Sequence, residues 1–155
     1  MTSYVAFLRG IMPMNPNMHG EKLRSFFKSL GFKNVRTVIA SGNVLFESPS
    51  KDANALENKI EQELPKRLGF PSATFVRSRE YLQKLYASDP FKGKQDTPTS
   101  RLNVTFKKKG EIFTIINPQS ARTPEVMAKL EKENGKQITM RTWKTVAKVL
   151  AKFES

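Results

Sequence analysis

Apolar positions along this chain change period several times, and each change marks an element. Residues 3–9 (SYVAFLR) form a short β-branched and aromatic run that stops at Gly10, which predicts a largely buried first strand. After a loop over residues 11–18, Leu23, Phe26, Phe27 and Leu30 repeat at i, i+3, i+4 and i+7, and Gly31 follows. Residues 19–30 therefore predict an amphipathic helix with a glycine stop. Residues 35–40 and 43–47 read as two strands separated by Ser41-Gly42, with Asn43 alongside. These residue types tolerate positive φ, so a tight antiparallel hairpin is expected there. Leu56, Ile60, Leu64 and Leu68 return to helical spacing over residues 52–68, where Pro65 is expected to kink the helix or end it at Leu64. Residues 73–77 predict a fourth strand.

The order strand, helix, strand, strand, helix, strand is that of a ferredoxin-like α/β plait (βαββαβ), an α+β architecture with two helices on one face of four antiparallel strands. Residues 79–87 read as a trailing helix, and the Pro, Gly, Asp, Thr and Lys of residues 89–100 as a connecting loop. The expected division is a first unit over residues 1–88 and a second, smaller α/β unit over residues 89–155. In the second, residues 101–106 and 112–116 pair around Lys107-Lys108-Lys109-Gly110, a solvated turn. Thr123-Pro124-Glu125 supplies a cap, a first-position proline and a first-turn acid for a helix. Residues 137–140 read as a short strand. Thr142 then caps a last helix with the apolar stripe Trp143, Val146, Ala147, Leu150 and Phe153.

Charge changes the picture more than size does. The 155 residues carry 27 Lys and Arg against 14 Asp and Glu, a formal net charge of +13. The excess is spread, with 13 basic and 7 acidic residues through Ser88 and 14 and 7 beyond it. Such a field attracts nucleic acid or another polyanion without choosing among them. The chain has no cysteine, which excludes disulfides, thiolate nucleophiles and cysteine-ligated metal and points to a reducing, cytoplasmic setting. No apolar run approaches the ~20 residues a spanning helix needs, so neither membrane insertion nor secretion is expected.

Three segments together resemble a known family: Tyr4-Val5-Ala6-Phe7-Leu8-Arg9-Gly10-Ile11, then Gly31-Phe32 through Val35-Arg36-Thr37 to Ile39-Ala40-Ser41-Gly42-Asn43-Val44, and finally Thr139 with Arg141-Thr142-Trp143 and Thr145. They are similar to the family catalogued as domain of unknown function 1697. The resemblance implies two linked subdomains of plait type in bacterial cytoplasmic proteins, and it implies no activity. Met12-Pro13-Met14-Asn15 stands where the family pattern runs Asn-Val-Gly-Gly, which puts any ligand role of those glycines in doubt here. The second half is shorter than the family norm, which implies a plait-like unit short of a helix or a strand.

Candidate ligand-binding residues are Arg9, Gly10, Ser41, Gly42, Asn43, Arg141 and Thr142. Arg9 closes a strand before a loop and could grip a phosphate or carboxylate; an ordinary strand-end ion pair explains it equally well. Ser41-Gly42-Asn43 could offer a hydroxyl, a carboxamide and backbone N–H groups to an anion, or simply build a turn. Arg141, Thr142, Trp143 and Thr145 could hold a base or phosphate, with capping by Thr142 and core packing of Trp143 as the structural alternative. His19 is the only histidine; it makes no metal site alone, and no spacing supports a Ser41–His19 pair. There is no dinucleotide or P-loop fingerprint and no RNA-recognition consensus, so no catalytic residue, cofactor or metal is expected. The leading expectation is a non-enzymatic binder of an anionic partner, nucleic acid or a phosphate-bearing ligand. The alternative is a small enzyme with an arginine-lined pocket between subdomains, acting on an anionic small molecule.

Overall fold

The structure, a computed structural model, describes residues 1–12 and 14–155 and, at Ala40 and Ser41, the backbone alone. The expected hydroxyl chemistry of Ser41 and the departure at Pro13 therefore lie outside the described residues. Among the described residues, seven strands form two antiparallel sheets, accompanied by five α-helices. The first half runs β1 (Thr2–Leu8), α1 (Gly20–Ser29), β2 (Lys33–Val38), β3 (Ala40–Ser48), α2 (Ala53–Leu68) and β4 (Thr74–Ser78), with strand order β2-β3-β1-β4. Then follow α3 (Arg79–Ala87), β5 (Arg101–Lys107), β6 (Glu111–Ile116), α4 (Thr123–Asn134), β7 (Ile138–Thr142) and α5 (Trp143–Phe153), whose strands order β6-β5-β7. The second sheet thus has three strands, with β5 central. No helix is long and apolar enough to cross a membrane among the described residues.

The near-continuous apolar run of β1 reflects burial on both faces of the first sheet. Tyr4, Ala6 and Leu8 meet Leu23, Phe27, Ile60 and Leu64 of α1 and α2. Val5 and Phe7 point the other way and join Leu45 and Phe75 against Val104 and Phe106 of β5 and Val146, Val149 and Phe153 of α5. The second half, together with α3, is the lid on that face. Leu82 of α3 belongs to this same cluster. Both faces of the first sheet are thus covered against stacking nucleobases.

Four local expectations are corrected. The β2–β3 turn falls at Ile39, with φ of 66°, and Ser41-Gly42-Asn43 lies within β3. Pairing passes from Val38↔Ala40 to Thr37↔Val44, so these three residues bulge from the ladder. The Gly42 carbonyl and the Asn43 carboxamide serve a junction between the halves, as shown below. Pro65 neither ends nor interrupts α2; Leu64 is fully buried there and Gly69, with φ of 82°, ends the helix by donating to Pro65 O. The missing N–H falls one turn before the end, where continued burial outweighs it. Thr123 is the first residue of α4 rather than its cap; its hydroxyl donates to Asn117 O at 2.9 Å, and Arg122 occupies the cap position with no side-chain bond. Finally, the Lys107–Lys109 turn is not simply solvated. Lys108 Nζ reaches the Glu61 carboxylate and Thr74 O.

Candidate functional site

The three segments that carry the family resemblance meet around Arg141. β7 aims its guanidinium at the first sheet, and all five donor hydrogens find oxygen. Nε donates to Asn43 Oδ1 at 2.7 Å, Nη1 to Thr139 Oγ1 at 2.7 Å and Met140 O at 2.9 Å, and Nη2 to Leu8 O at 2.9 Å and Gly42 O at 3.1 Å. Asn43, itself buried, turns its amide to Val38 O at 3.1 Å and so closes the bulge. Gly42 is favoured by proximity: a Cβ there would stand 3.3 Å from Arg141 Nη2, so the guanidinium would have to shift by a few tenths of an ångström. Burial lowers the Arg141 pKa to about 10, and the group lies over the Phe7 ring at 5.6 Å. A guanidinium so fully engaged has no donor for a ligand.

Gly10, Gly42, Asn43, Arg141 and Thr142 do line one cleft, of about 370 Å³. Thr142 acts there as the cap of α5, accepting from Thr145 N at 3.3 Å. Trp143 stacks on Tyr86 at 5.0 Å and meets Phe91 and Phe113 edge-on, so its ring is packing. Arg9 faces a neighbouring cleft of about 380 Å³, which shares Gly10 with the first. Its Nη2 pairs with Glu131 at 2.6 Å and its Nη1 donates to Ile138 O at 2.9 Å, the structural ion pair that the sequence left open. Three of its five donors keep no protein partner among the described residues. His19 is exposed ahead of α1 and makes no side-chain cap bond. Among the described residues no three His, Asp or Glu side chains cluster to hold a metal.

A second arginine junction has no counterpart among the candidate residues. Arg77 of β4 is buried and sends Nε to Glu111 at 2.8 Å, Nη1 to Glu57 at 3.4 Å and Val76 O at 3.1 Å, and Nη2 to Lys107 O at 2.6 Å and Gly110 O at 3.3 Å. Glu57 accepts from Val76 N at 2.7 Å, and its carboxyl pKa is raised, chiefly by desolvation. The signal was present in the sequence: Arg77 ends an apolar strand, and Glu57 lies beside Leu56 on the core side of α2. Arg77 covers the Phe106 ring at 5.4 Å, and Phe106 stacks on Phe7 at 4.2 Å. A column of Arg141, Phe7, Phe106 and Arg77 therefore crosses the interface, each arginine gripping main-chain oxygens of the opposite half.

What this arrangement accomplishes is a joint between the halves, with two clefts beside it. Comparison with solved structures finds the conserved bacterial protein SP0830 from Streptococcus pneumoniae, 20% identical, with a TM-score of 0.79 over 100% of this chain and 99% of that one. At that identity the likeness shows a shared fold. The search of curated proteins gives no match. The profile of the family described as "Protein of unknown function (DUF1697)" matches residues 1–141, spanning two of the convergent segments and reaching Arg141 in the third, and the chain belongs to that family.

Proposed function

We propose that this protein is a non-enzymatic binder of an extended polyanion, nucleic acid first among them, and that the contact runs along α5. The carrying observation is a row of exposed lysines, Lys144, Lys148 and Lys152, on a helix with no acidic residue. Among the described residues none of the three has a carboxylate within ion-pair distance. Four residues of helix separate successive lysines by about 6 Å, close enough to engage neighbouring phosphates of one strand. Arg36 of β2 fastens the end of this helix through Lys152 O at 2.7 Å and Ser155 O at 2.9 Å. The junction arginines and the lysines contribute differently: Arg77 and Arg141 hold the halves together, and the lysines carry the free charge. We read the first half, with strand order β2-β3-β1-β4 and α1 and α2 on one face, as a ferredoxin-like plait, and the cytoplasm as the compartment where such a partner is met. The alternative, an enzyme gripping an anion with Arg9 and Arg141 and polarising it with Asn43, is the weaker reading, because the Arg141 donors and the Asn43 amide are already engaged.

The test is fluorescence anisotropy with labelled single-stranded RNA, single-stranded DNA and duplex DNA at two salt concentrations, with an unrelated polyanion as competitor. The wild type should bind with steep salt dependence. The triple variant Lys144→Glu, Lys148→Glu, Lys152→Glu should bind weakly, and the triple alanine variant should flatten the log–log salt slope by roughly 2 to 3. Equal binding by the wild type and both variants would place the contact elsewhere. No binding even at low salt would reject the polyanion reading.

A further inference from the structure

Between α4 and the second sheet lies a cavity of about 180 Å³ walled by Met127, Leu130, Ile138 and Met140. Thr105, in the central strand, also lines it. This threonine is 0% exposed, and its hydroxyl has no hydrogen-bond partner. A buried hydroxyl that has lost water and gained nothing carries a desolvation penalty, which a polar atom brought into the cavity would remove. The charged border is equally incomplete. Arg9 and Glu131 line the same cavity with side chains 30% and 37% exposed, and Arg9 Nε and one hydrogen on each Nη have no protein partner among the described residues. Arg9 also borders the open cleft that contains Glu61 and Lys136, so it stands between the apolar interior and an open, charged approach.

We propose that this cavity binds a small aliphatic carboxylate, with the carboxylate on Arg9, the hydrocarbon tail among Met127, Leu130, Ile138 and Met140, and the Thr105 hydroxyl bonded to an oxygen on that tail. At about 30 Å³ per water-sized group the space admits a tail of roughly six heavy atoms. An isolated carboxylate has no place for such a tail on the α5 face, and a polyanion cannot enter here. The two sites are therefore independent.

Titration of the full chain, followed by the NMR signals of the Met127 and Met140 methyl groups, tests the assignment with three probes: 4-oxopentanoate, pentanoate and 2-pentanone. The first has both head and tail oxygen, the second lacks the tail oxygen and the third lacks the head. Saturable shifts at both methyls are expected with 4-oxopentanoate. The ketone should bind roughly tenfold or more weakly, having lost a charge-assisted contact. Thr105→Val, which keeps the shape of the side chain, should abolish the preference for 4-oxopentanoate over pentanoate. No saturable shift with either acid would overturn the proposal, as would a ketone binding as tightly as the acid. An unchanged preference in Thr105→Val would overturn the role of the hydroxyl and with it the ligand class.

Discussion

Arg141 is a half-buried cation whose five acceptors are all neutral, three of them main-chain oxygens. Lysine at that position could satisfy at most three acceptors. Arg141→Lys is therefore expected to lose about 3 kcal/mol or more of unfolding free energy, measured by urea denaturation, because Leu8 O and Gly42 O would be left short of donors. Gly42→Ala should lose less, about 1–2 kcal/mol, by pressing a methyl against the guanidinium. Glu57 adds a pH dependence. Its pKa is raised in the folded protein, so the native state holds the proton more tightly than the unfolded chain does. That contribution is complete below the ordinary carboxylate value of 4.5 and disappears as pH rises through the raised one. Relative to Glu57→Gln, the wild type should therefore lose stability as pH climbs across that window, and parallel pH–stability curves would contradict the assignment.

Among the elements, the β2–β3 connection shows where a sequence reading succeeds and where it is misled. Strand, helix and strand order through Ser78 could be read from period alone, as could the α1 stripe, the Gly31 stop and the Thr142 cap, because each depends on neighbours within a turn or two. Ser41-Gly42-Asn43 has the composition of a turn, yet the reversal is made by Ile39, a β-branched residue 63% exposed at a φ of 66°. What overrides local preference is distant: Arg141, 98 positions from Asn43, claims the bulge. The convergence of Gly42, Asn43 and Arg141 was foreshadowed by their residue types, whereas their use as a joint was not, since saturation of donors is a property of the folded interface. Ile39→Asn places a residue tolerant of the left-handed region at an exposed site and should stabilise the protein by about 1 kcal/mol, read as a higher denaturation midpoint at unchanged m.

For the whole molecule, the shared apolar layer means that neither half has a finished surface. A fragment of residues 1–88 keeps α3 but loses β5 and α5 from over Val5, Phe7, Leu45 and Phe75 and is expected to lack a cooperative urea transition, while the full chain unfolds in one step seen alike by circular dichroism and Trp143 fluorescence. The excess positive charge works on another level, outside this joint, where the α5 lysines face solvent.

The two arginines also bear on how such a sequence can drift. Leu8, Lys107 and Gly110 enter the joint through their carbonyl oxygens, which every amino acid supplies, so substitutions there change side chains without removing an acceptor. The demand on identity falls on fewer places: the two arginines, their side-chain acceptors Asn43, Thr139, Glu57 and Glu111, and Gly42 and Gly110, the first by close approach and the second by its φ of 86°. A joint written mostly in backbone permits wide divergence around it, and a chain could change most of its letters while its halves stayed locked in register.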